Sequence, residues 1–139
     1  MIMKEKEYLS SYLEGITNMA SSISKSIGHS YVKVDAYDKN IFQEEFKKSY
    51  HLKEDIKLIE TSKTLKTALL DWFQKEDKIV DSITYWFHLK TNEDPKVYLP
   101  EEKLVTILDE KRLDFYFLDD LFFVECKNYI FVFLLGNNE

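Results

Sequence analysis

The side chains most able to do chemistry here are three histidines, one cysteine and several paired acids. His29, His51 and His88 lie far apart, and none has a second His or Cys at metal-ligand spacing. A zinc centre needs several such ligands converging on one point, so a metal site is not expected. His29 suits a helix C-terminus beside Gly28, and His88 suits a solvent-facing strand position. Cys126 sits at a hairpin end on a face expected to be buried. A reactive thiol needs access and positive neighbours, so a structural role is expected.

The acids Glu44-Glu45, Glu101-Glu102 and Asp119-Asp120 are adjacent pairs. Neighbours on a helix or strand point apart and make poor acid–base dyads. Asp119-Asp120 reads as turn chemistry. No serine sits in a nucleophile elbow, and with three glycines a phosphate-cradling loop is hard to build. Neither an enzyme nor a bound cofactor is expected.

What stands out is aromatic content, with 9 Tyr, 10 Phe and 2 Trp. Most must be core, but Tyr and Trp also dominate binding hot spots. Asp35, Tyr37, Asp38, Trp86, His88, Asp114 and Tyr116 form the expected contact set, an acidic and aromatic edge for a basic partner. The competing reading is an ordinary acidic surface around an aromatic core.

The elements that must position these residues follow from hydrophobic spacing. The chain's C-terminal part reads as three strands, 113–118, 121–126 and 129–135, joined by two-residue turns at Asp119-Asp120 and Lys127-Asn128. The second turn pairs Val124 with Phe131 and Phe122 with Phe133. Alternation then puts Leu113, Phe115, Phe117, Phe122, Val124, Cys126, Tyr129, Phe131, Phe133 and Leu135 on one apolar face, which helices must cover. The other face, with Phe123 and Val132, is also mostly apolar. It needs a second layer or serves as a contact surface.

Residues 4–27 are expected to form one amphipathic helix, with Gly28 beyond its end. Gly15 inside it is expected to allow close approach to the sheet. YVKVDAY at 31–37 alternates as a strand. Asn40 and Gln43 resemble a capping box for a helix from Ile41. Residues 51–60 fit helix or strand. A helix over 63–74 is capped by Thr61 or Ser62. IVDSITYWFHL at 79–89 is branched and aromatic, which favours a strand. Pro100 and Glu101-Glu102 favour a helix over 101–111, with a strand through 104–108 as its rival. The fold expected is α+β: an N-terminal amphipathic helix and further helices on a mainly antiparallel sheet, ending in a three-stranded meander.

At 139 residues the chain suits a single globular domain, 1–139. A net charge of −6 without a basic stripe disfavours nucleic-acid and anionic-membrane binding, and suits a basic protein partner. The lone cysteine and the lack of a long apolar run fit a cytoplasmic protein.

A small non-enzymatic binding or inhibitor module is therefore the leading expectation. In overall character it is similar to bacterial immunity proteins, a resemblance that implies neutralising a toxin by covering its surface. The alternatives are a small-molecule pocket between helices and sheet near Asp81, Tyr85 and His88, or a homo-oligomer paired through Tyr116, Phe123 and Val132. An acidic mimic of nucleic acid is less favoured, because Lys and Glu are mixed throughout.

Overall fold

In the computed structural model, residues 5–23, 30–73, 76–111 and 117–137 are described. The elements in order are α1 (Glu5–Ile23), β1 (Ser30–Asp38), α2 (Phe42–Tyr50), β2 (Leu58–Glu60), α3 (Leu65–Trp72), α4 (Asp77–Thr91), β3 (Lys96–Pro100), α5 (Glu102–Lys111), β4 (Phe117–Glu125) and β5 (Tyr129–Asn137). The five strands form one antiparallel sheet in the order β1-β5-β4-β3-β2. The expected α+β class is borne out.

The β4–β5 hairpin is the centre of the sheet, and its register follows from the two-residue turn. Val124 lies opposite Phe131 and Phe122 opposite Phe133. The Cys126 N–H donates to the Tyr129 carbonyl at 2.9 Å. Both faces of these strands are apolar, so both are covered. Phe122, Val124, Phe131, Phe133 and Leu135 share one core with α1, α3 and α4. Leu121, Phe123, Ile130 and Val132 share the other with Phe42 and Phe46 of α2 and Leu104 and Leu108 of α5. Phe123 and Val132 are fully buried beneath the chain's own helices, so the face considered for self-pairing is already occupied.

Several expectations change, while the helix expected over 101–111 is borne out. Residues 79–89 form helix, not strand. Val80, Ile83 and Phe87 fall at helical spacing on one buried side, and that burial outweighs the β preference of the branched residues. Asp119-Asp120 makes no hairpin turn. β4 runs straight through it with a bulge between Leu118 and Asp120, where the acid's local bonding is spent on the Leu121 N–H. Leu113 and Phe115 lie outside the described residues. Residues 96–100 form β3, with Pro100 paired at its end to Leu58, and α5 follows, which settles 104–108 as helix. The Asn40 capping box is absent. A 3-10 turn over Lys39–Ile41 leads into α2, and Gln43 bonds Ile56 instead. The 63–74 helix starts later than expected, capped by Thr64, whose hydroxyl accepts from the Thr67 N–H at 3.1 Å.

α1 lies along the free edge of β1. Leu9, Leu13 and Ala20 face the core, and buried Thr17 satisfies its hydroxyl on the Leu13 carbonyl. Gly15 does not approach the sheet. It faces solvent, and among the described residues a Cβ placed there would meet nothing within 4 Å.

Candidate contact face

The expected contact set is not one patch. Asp35 and Tyr37 point from β1 into the α2 side of the sheet. Burial raises the Asp35 carboxyl above its ordinary value, offset in part by Lys33 at 3.8 Å. Tyr37 is buried against Phe42 and Phe46, its hydroxyl donating to Ser49 at 3.2 Å. Burial pushes that phenol up to about 12. Asp38 turns the other way and pairs with Lys6 of α1 at 3.1 Å. Trp86 and His88 lie on α4. Asp114 and Tyr116 lie outside the described residues.

His88 is exposed on a helix, not a strand. Its Nδ1 sits 3.3 Å from Asp94 and 3.2 Å from the Glu93 carbonyl. Cys126 is buried, as expected, and burial with Glu93 nearby pushes its thiol up to about 12. A thiol so raised is a poor nucleophile. Among the described residues, no three His, Cys, Asp or Glu side chains are grouped to hold a metal ion.

What the structure does bring together is an exposed aromatic face on α1 and α4. The two helices run antiparallel, so Tyr8 meets Lys90 and Tyr12 meets Trp86. The Tyr8 and Tyr12 rings stack at 6.3 Å between centroids. Trp86 lies 6.5 Å from Tyr12 and 5.5 Å from Tyr85, edge-on to the latter. Lys90 closes the group. Its ammonium donates to the Tyr8 hydroxyl at 3.1 Å and sits over the Tyr12 ring at 4.8 Å. The hydroxyl beside it holds the ammonium above its ordinary pKa.

Each helix projects this face because its apolar arc is wider than the core needs. On α1, Leu9 and Leu13 point inward, Tyr12 is half-buried against the core at the seam with α4, and Tyr8 and Met19 lie outside. On α4, Val80, Ile83 and Phe87 point inward, leaving Tyr85, Trp86 and Leu89 outside. Tyr8 is 44% exposed, Met19 68%, Tyr85 62%, Trp86 41% and Leu89 54%. Such large apolar groups, contiguous and wet, mark contact surfaces.

Sequence spacing hides the α1 half of this face. Tyr8, Tyr12 and Met19 fit the same three- and four-residue rhythm as the buried set. The usable signal is the width of the arc. Leu9, Leu13 and Ala20 already fill a buried stripe, Tyr12 lies at its margin, and Tyr8 and Met19 lie beyond it.

The face ends in an acidic recess of about 290 Å³ at the α4 C-terminus, lined by Glu5, Thr91, Asn92, Glu93, Lys127 and Tyr129 among others. Glu5 accepts from the Tyr129 hydroxyl at 3.1 Å, and Glu93 from the Lys127 N–H at 2.6 Å. A separate cleft of about 390 Å³ lies on the other side of the sheet. It runs between residues 52–57 and α5, with Leu52, Ile56, Leu104 and Ile107 in its lining. No helix among the described residues is long and apolar enough to cross a membrane.

Comparison with protein-family models, curated proteins and solved structures finds no match for this chain.

Proposed function

We propose that this chain is a non-enzymatic protein-binding module that works by covering a partner's surface with the α1–α4 face. The observation that carries this is the contiguous exposure of Tyr8, Tyr85, Trp86 and Leu89 around Lys90. Interfaces draw most of their energy from a few aromatic anchors that become fully desolvated. The chain's net charge of −6, with Glu5 and Glu93 at one end of the face, suits a basic partner and faster encounter with it. The contact surface is thereby moved from the β1 edge, where Asp35 and Tyr37 turn inward, to the helical layer. Within this class, an immunity protein that occludes a bacterial toxin is the specific form we favour.

The test is affinity capture from host lysate at low and high salt, with the intact chain and the Trp86→Ala chain as paired baits. One stoichiometric basic protein held by the first and lost by the second supports the proposal. Equal capture by both baits contradicts it.

A small-molecule site is the second reading, favoured by the 390 Å³ cleft, whose size suits a ligand. It lies beside α5, away from the Asp81, Tyr85 and His88 region expected from sequence. Native mass spectrometry of the purified chain tests it. A retained small molecule, displaced by Ile107→Trp, supports this reading, and a bare chain counts against it.

A further inference from the structure

The cleft between residues 52–57 and α5 has walls fixed from behind. Gln43 of α2 bonds both the N–H and the carbonyl of Ile56 at 3.0 Å, and Lys47 pairs with Asp55 at 2.5 Å. Across the gap, Leu104 and Leu108 seat α5 in the second core. Each wall is thus anchored away from the gap, and the cleft exists before any ligand arrives. A preformed pocket spares its ligand the cost of ordering it.

The lining divides into an apolar part and a charged rim. Leu52, Ile56, Leu104 and Ile107 supply the first. On the rim, Glu101 takes Lys57 on one carboxylate oxygen at 3.7 Å and Lys103 on the other at 3.6 Å. Those two lysine side chains are 82% and 77% exposed, so each ammonium keeps donors for a second acceptor. Lys53 and Glu54 offset each other in charge, and Asp55 is held by Lys47. Four lysines therefore meet three acids, a local excess of one positive charge on a chain of net −6.

We infer that the cleft binds a small amphipathic monocarboxylate. Its apolar body lies against Leu52, Ile56, Leu104 and Ile107, and its head joins Lys57 and Lys103 on their open sides. The two lysines already converge on one carboxylate, and the excess charge admits a second. The like charge of Glu101 restricts that head to a single negative charge, which disfavours a phosphate dianion. A volume of about 390 Å³ is at the small end of ligand pockets, so the body is short. This inference rests on the second reading above, that the cleft takes a small molecule, and adds its chemical class. The cleft and the α1–α4 face lie on opposite sides of the sheet, so the two can be tested apart.

Titration of the full chain, labelled with nitrogen-15, with octanoate below its micelle concentration tests it. Saturable amide shifts confined to residues 52–57 and 101–107 are expected. Octylammonium has the same tail and the opposite charge, and should bind at least roughly tenfold more weakly. Octanoate should lose at least roughly tenfold in affinity for Lys103→Glu, a surface change that leaves the apolar lining intact. Ile107→Trp should abolish the shifts by filling the cleft, while Trp86→Ala on the other face leaves them unchanged. No saturable shift with octanoate, or shifts centred on the α1–α4 face, overturns the inference. Octanoate binding in the cleft that is indifferent to Lys103→Glu and matched by octylammonium overturns the carboxylate and leaves the small-molecule reading standing.

Discussion

The Asn18 side-chain amide pairs with the backbone of Val32 on both sides. It accepts from the Val32 N–H at 2.6 Å and donates to the Val32 carbonyl. One side chain thus stands where a sixth strand's peptide group would stand. Glu14, one turn earlier, accepts from the Val34 N–H at 2.8 Å. β1 is an edge strand of nine residues, and long open edges invite pairing with other chains. The α1 side chains close part of that edge. Gln43 repeats the device on Ile56, with both bonds at 3.0 Å, and so ties the 52–57 segment to α2.

Replacing Asn18 with alanine leaves two backbone groups without their side-chain partner at a part-buried position. A loss of about 2 kcal/mol is expected in chemical denaturation. Amide exchange at Val32 should quicken as well. Unchanged stability together with unchanged exchange would contradict the closing role.

The second core rests on an aromatic cluster. Phe46 is fully buried, with its ring 5.7 Å from Tyr37, 5.3 Å from Phe42, 4.9 Å from Tyr50 and 5.7 Å from Phe123. Phe46→Ala should cost about 3–5 kcal/mol, by lost transfer energy and an unfilled cavity. A cost below about 1 kcal/mol would mean that α2 is not a structural layer.

Asp35 carries a pH signature. Burial raises its carboxyl above the ordinary 3.8. The folded state therefore holds the proton more tightly than the unfolded chain, and ionising Asp35 at neutral pH costs stability. Asp35→Asn should raise the melting temperature at pH 7. The gain should shrink as pH falls through the folded-state value and vanish below 3.8. A loss at pH 7 would point to a net-favourable pair with Lys33, and a gain that persists below 3.8 would show that it does not come from ionisation.

Trp86 should separate stability from binding. It is 41% exposed and touches Tyr12 and Tyr85. Trp86→Ala should cost the fold no more than about 1.5 kcal/mol. Partner affinity should fall by about 2 kcal/mol or more, the range of a hot-spot anchor. A large stability loss with intact binding would make Trp86 a core residue.

Local rules carried α1, β1, α3 and the β4–β5 register, because turn length and alternation fix them within a few residues. Tertiary competition decided the rest. The branched and aromatic run at 79–89 suits either element. Only burial of Val80, Ile83 and Phe87 against α1 and the sheet selects helix. Asp35 and Tyr37 look like surface residues on an alternating strand, but α2 covers that side. Tyr85 and Trp86 could be named from composition, whereas their meeting with Tyr8 and Tyr12 depends on two helices distant in sequence.

Hydroxyl-radical footprinting of the captured complex, against the isolated chain, reads the proposed α1–α4 contact residue by residue. Met, Tyr and Trp report their own solvent exposure by oxidation. Met19, Tyr8, Tyr85 and Trp86 should become protected in the complex, while exposed residues elsewhere, such as Ile59, keep their reactivity. Undiminished oxidation of these four in a stoichiometric complex, with protection at another surface, would contradict it.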